Sequence, residues 1–135
     1  EAPMLKCLAG KSVFSGKTAL LVDVSGSMGM VLSSRSDLTR LDAACGLSIL
    51  ARELCEDINI YTFSNKVVGV PDRRGFALRD SIISSQANRA TYLGEAIEYI
   101  NNYVTHDRLI VITDEQSHDR VPHSVSKGYV INVAS

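Results

Sequence analysis

The sequence of 135 residues predicts an α/β fold, a doubly wound, mostly parallel sheet with one short antiparallel edge strand. Three observations point there. Short continuous apolar runs alternate with segments whose apolar residues fall three or four apart. The runs ending at Asp23 and Asp114 read as strands buried on both faces, as parallel strands are. A brief turn, Ser64-Asn65-Lys66, separates two strand-like runs that can pair back on each other.

Residues 18–22 (TALLV) form the first strand, and a Gly/Ser-rich stretch from Ser25 to Gly29 follows it. A helix beginning near Ser36 or Asp37 carries Leu38, Leu41, Cys45, Leu47, Leu50 and Leu54, with Ala43, Ala44 and Ala51 widening the stripe. It is expected to be largely buried. Residues 57–63 read as the second strand, and 67–70 as an antiparallel edge closed by Pro71. A short helix over 76–84 presents Leu78, Ile82 and Ile83. A clearer one opened by Thr91 presents Leu93, Ala96, Ile97, Ile100 and Val104. Strands at 109–113 and 129–133 complete the pattern. Residues 1–16 read as a lead segment, the end of a preceding helical domain. Residues 17–135 read as one domain incomplete at its C-terminal end, lacking its last helices.

A net charge of −1 gives no overall field to attract nucleic acid or an anionic membrane, so either partner would need a local patch. The apolar runs are far short of the roughly 20 residues a membrane span needs, and the N-terminus lacks the basic start and apolar core of a signal peptide. Cys7, Cys45 and Cys55 form no CxxC pair, arguing against a zinc knuckle or disulfide framework. The expectation is a cytoplasmic domain with no membrane partner.

In an open parallel sheet, ligands bind beyond the carboxyl ends of the strands, where strand order reverses. Asp23 and Asp114 end the two strands expected to flank that crevice, and like-charge repulsion disfavours such a pair unless a cation intervenes. Ser25 and Ser27 follow Asp23 at i+2 and i+4, so an extended loop turns three oxygens to one side, and Thr91 could add another hydroxyl. Oxygen donors without sulfur or imidazole suit a hard ion, Mg2+ or Mn2+.

Asp23-Val24-Ser25-Gly26-Ser27, then Thr91, then Thr113-Asp114 resemble the metal-ion-dependent adhesion site (MIDAS) of von Willebrand factor A (vWA) domains, in order and in structural place. The resemblance covers nearly the whole chain. It implies that Ser25, Ser27 and Thr91 ligate Mg2+ (Mn2+ or Ca2+ as alternatives), with Asp23 and Asp114 binding directly or through water. It also implies an open position for a carboxylate from a protein partner. Arg89 and Ala90 stand where many A domains carry two glycines, placing a positive charge near the ligand, and Glu115 follows Asp114 where many relatives carry Gly or Asn. Gly16 to Met28, the Ala2-Pro3-Met4-Leu5 lead and the closing Tyr129 to Ser135 are most similar to the A domain of bacterial Ro (TROVE-type) RNA-binding proteins. That resemblance implies a protein whose remaining part holds small non-coding, Y-like RNA.

Each residue also has a plainer role. Thr91 would serve as a helix N-cap, Ser25 and Ser27 as turn residues, and Asp114 as a turn cap. His106, His118 and His123 read as solvated loop residues rather than a zinc site, and Cys45 and Cys55 as small core residues of the apolar helix. Arg35, Arg40, Arg73, Arg74 and Arg79 read as solvated surface, with phosphate or acidic partners as the alternative. No GxSxG elbow, GxxxxGK[ST] loop or GxGxxG loop follows any strand. The expected activity is therefore non-catalytic, metal-dependent binding. Direct RNA contact through the arginine-bearing loops and metal-dependent hydrolysis are the alternatives.

Overall fold

A computed structural model describes residues 14–29, 38–86, 92–114 and 126–133. Among these residues, five strands form one sheet in the order β3-β2-β1-β4-β5: β1 (Phe14–Asp23), β2 (Cys55–Phe63), β3 (Val67–Gly69), β4 (Arg108–Thr113) and β5 (Lys127–Asn132). All pairings are parallel except β2 with β3, where Tyr61 faces Gly69 and Phe63 faces Val67. The expected α/β fold with an antiparallel edge is the observed one.

Alternation along β1 explains the two layers. Leu20 and Val22 point to one face with Ile58, Ile60 and Ile112, covered by helix α1 (Arg40–Leu54) and helix α2 (Gly75–Ile83). Ala19 and Leu21 point to the other with Phe63, Leu109 and Val111, covered by helix α3 (Leu93–Tyr103). Every residue of β1 from Thr18 to Asp23 is therefore buried, as its unbroken apolar run predicts.

Several boundaries differ from the sequence reading. β1 begins at Phe14, its early register broken by a bulge at Gly16, whose φ of 83° lies in the left-handed region. Residues 1–13 of the expected lead lie outside the described residues. α1 starts at Arg40 because Thr39 and Asp42 form a capping box: Asp42 N–H donates to Thr39 Oγ1 and Thr39 N–H to Asp42 Oδ2, both at 3.0 Å. Leu38 thus precedes the helix and is exposed. The buried face is Leu41, Ala44, Cys45 and Ser48, mostly small residues that let α1 lie close to the sheet. Cys55 is not a helical residue; it caps α1 and opens β2, where it remains buried.

β5 forms one edge of the sheet, and its Tyr129, Val130 and Ile131 are exposed. No helix among the described residues is long and apolar enough to cross a membrane.

Candidate functional site

Chain order places the site. From β1 the chain runs outward to β2 and β3, then returns to the opposite side of β1 as β4, so strand order reverses between β1 and β4. Val22 pairs with Ile112, which brings Asp23, the last residue of β1, level with Thr113, and Asp114 follows immediately. The two acids expected at the crevice lie at the carboxyl ends of adjacent central strands. Asp23 is fully buried and Asp114 is 4% exposed.

Local hydrogen bonding fixes Asp23. Its Oδ1 accepts the Ser25 N–H at 2.8 Å, an Asx-type turn that bends the chain just past the strand. Its Oδ2 accepts the Thr113 hydroxyl at 2.7 Å. A single 3-10 turn (Gly26–Gly29) follows, closed by Met28 N–H donating to Ser25 O at 3.0 Å and anchored by the buried Met28 side chain. Ser25 Oγ and Ser27 Oγ consequently lie 3.3 Å apart. Ser25 is buried and Ser27 half-buried, so that end of the site faces outward.

Burial pushes the Asp23 carboxyl above the ordinary carboxylate range, hydrogen bonds from Ser25 and Thr113 oppose that, and the charge of Asp114 adds to it. Cationic charge does reach the pair: Arg40 Nη1 donates to Asp114 Oδ2 at 3.0 Å. This ion pair departs from the sequence reading, in which Arg40 is solvated surface. One signal was available in the sequence. A cation in the first turn of a helix opposes the helix dipole, so an arginine beside a strong N-cap calls for an anionic partner.

Thr91, Arg89 and Glu115, the remaining expected site residues, lie outside the described residues. The N-cap of α3 is Tyr92 rather than Thr91. It makes no side-chain cap, and its N–H donates to Ser64 O at 3.2 Å, tying the start of α3 to the carboxyl end of β2.

The four described oxygen-bearing residues, Asp23, Ser25, Ser27 and Asp114, fit a hard divalent ion by donor chemistry, and no group of three or more His, Cys, Asp or Glu able to hold a metal occurs among the described residues. His106 departs from the solvated reading: its Nδ1 lies 2.6 Å from Ser126 Oγ, its Nε2 is buried with no hydrogen-bond partner among the described residues, and burial lowers its pKa. His118 and His123 lie outside the described residues. Other arginines face acids, Arg79 beside Asp42 and Asp80, Arg74 beside Glu53, and Arg52 beside Asp72.

No family model matches the chain, and no curated protein matches it by sequence. Solved structures do match by fold. The Ro (RSR) protein of Deinococcus radiodurans aligns with a TM-score of 0.61 at 23% identity over 80% of this chain and 23% of its own. BatB of Bacteroides thetaiotaomicron and an aerotolerance-related membrane protein of Bacteroides fragilis each align with a TM-score of 0.58 at 20% identity, over 77% of this chain and 56% of theirs. The fold is vWA-like. This chain spans little more than half of either Bacteroides protein and under a quarter of the Ro protein.

Proposed function

We propose that this vWA-like chain is a non-catalytic, divalent-metal-dependent protein-interaction module. The observation that carries the reading is the convergence of Asp23, Ser25, Ser27 and Asp114 at the switch point of the sheet, with both carboxylates buried. Thr91 completes the proposed ligand set. Mg2+ is the proposed ion, and when bound it supplies a Lewis-acidic position that takes a carboxylate oxygen from a partner. The chain's own part is orientation. Ser25 N–H and Thr113 Oγ1 fix both oxygens of Asp23, and the 3-10 turn sets the spacing of the two serines. Glu115 follows Asp114 and Arg89 precedes Thr91 by two residues in the sequence, and both are proposed to tune which anion enters.

The module is further proposed to belong to a cytoplasmic Ro-like protein whose other part binds small non-coding RNA. The sequence resemblance to Ro A domains and the fold likeness to the Deinococcus protein support this.

Isothermal titration of the full chain with Mn2+ tests the metal reading. One saturable site is expected, lost in Asp23→Ala with the circular dichroism spectrum retained. A folded wild-type chain that shows no saturable Mn2+ binding would overturn it.

A further inference from the structure

We infer that Arg40 is a built-in cationic competitor at this site, occupying Asp114 until a divalent ion displaces it. The inference deepens the metal-site reading above and rests on it.

The argument starts from where Arg40 stands. It is the first residue of α1, where the partial positive charge of the helix end disfavours a cation. The position is nonetheless held rigidly, because Thr39 and Asp42 close a capping box around it, and Arg79 Nη2 on α2 lies 3.4 Å from Asp42 Oδ1. The Arg40 side chain is 14% exposed and the Asp114 side chain 0%. A long cationic side chain has thus been drawn inward against both its local electrostatics and its hydration. A residue that breaks a local rule in this way is expected at a functional site.

What offsets that cost is the negative charge at the ends of β1 and β4. Asp114 and the buried Asp23 face each other's charge, and a guanidinium on Asp114 Oδ2 relieves part of the repulsion without any metal. The same oxygen is then engaged when a divalent ion arrives. Ion and guanidinium repel each other, so binding the ion requires Arg40 to let go of Asp114 or to tolerate a like charge close by. Either way the residue weakens metal binding while stabilising the metal-free fold. Released from Asp114, Arg40 stays tethered at the rim of the site, where a partner's carboxylate would meet it.

This role differs from that of a residue that merely orients Asp114, and the two predict opposite signs. If Arg40 orients, its removal weakens metal binding; if it competes, its removal strengthens binding.

The experiment compares wild type, Arg40→Gln and Arg40→Lys as full chains, by titration with Mn2+ and by urea unfolding in EDTA. Arg40→Gln is expected to bind Mn2+ about tenfold tighter, since each tenfold corresponds to only a modest electrostatic term, while its unfolding midpoint in EDTA falls. Arg40→Lys keeps the charge but loses the reach and the planar fork, so it is expected to tighten binding by less; it also serves if the Gln variant does not fold. Unchanged or weaker Mn2+ binding in the folded variants, with wild type binding normally, overturns the competitor role and leaves the metal site standing. Absence of Mn2+ binding in wild type and variants alike overturns the metal site, and this inference with it.

Discussion

Thr113 Oγ1 donates to Asp23 Oδ2 at 2.7 Å across the seam between β1 and β4, joining the two strand ends that frame the site. Both groups are fully buried. Asp23 Oδ2 therefore depends on this hydroxyl rather than on water, and a buried acceptor deprived of its donor costs more than an ordinary hydrogen bond contributes.

Thr113→Val, close in shape but without the hydroxyl, is expected to destabilise the chain by about 1–3 kcal/mol. Thr113→Ser should recover most of the loss. Urea unfolding in the presence of EDTA reads both, and a Val variant as stable as wild type would show that Asp23 finds another donor.

The capping box at α1 gives a pH-dependent prediction. The hydrogen bond from the Thr39 backbone, with help from the Thr39 hydroxyl and Arg79, holds the Asp42 carboxyl below its ordinary range. A depressed folded-state pKa contributes stability above the unfolded value of about 3.9, and that contribution is lost as pH falls through the folded value. Asp42→Ala should therefore cost about 1 kcal/mol at pH 7. The gap between the two proteins should shrink as the pH is lowered below about 4. Unfolding curves taken across that range check it; a gap that does not change with pH would assign the effect to packing instead.

Gly16 carries a third prediction. Its φ of 83° is unfavourable for a residue with a side chain, and a Cβ there would sit 2.8 Å from Asp107 Oδ2. That same oxygen accepts the Lys17 N–H at 2.9 Å. Gly16→Ala is expected to destabilise by about 1–3 kcal/mol through strain and loss of this bond. Asp107→Ala in the same background should remove the steric part of the penalty, so a double-mutant cycle separates the two contributions.

Burial pushes the Cys45 thiol up to about 11, and the residue is 1% exposed within α1. In a Cys7→Ser, Cys55→Ala background, a thiol reagent at pH 8 should react only as fast as the chain unfolds. Reaction at the rate of a free thiol would show that α1 opens locally from the sheet.

The apolar run of β1 announced a strand buried on both faces because two-sided burial leaves no polar position in the alternation, and the helices on either side meet it as expected. Asp23, Ser25 and Ser27 were legible because their spacing is local, and one turn of backbone brings their oxygens together. Cys55 reads as helical because an apolar residue fits either period, and only the pairing of β2 with β1 decides where the helix stops. Arg40 reads as surface because its place at a helix start can signal only that an anion is needed, and local spacing does not name a partner 74 residues away.

The same distinction holds for the protein as a whole. The order of apolar runs determined the α/β class, the antiparallel edge and the identity of the oxygen-rich loop after β1, since these follow from periodicity and turn chemistry within a few residues. Only the tertiary structure decided that Thr113 secures Asp23 and that Arg40 reaches Asp114. Those contacts exist because sheet register sets β4 beside β1 and the local capping box fixes where α1 begins, and each contact joins groups far apart in the chain.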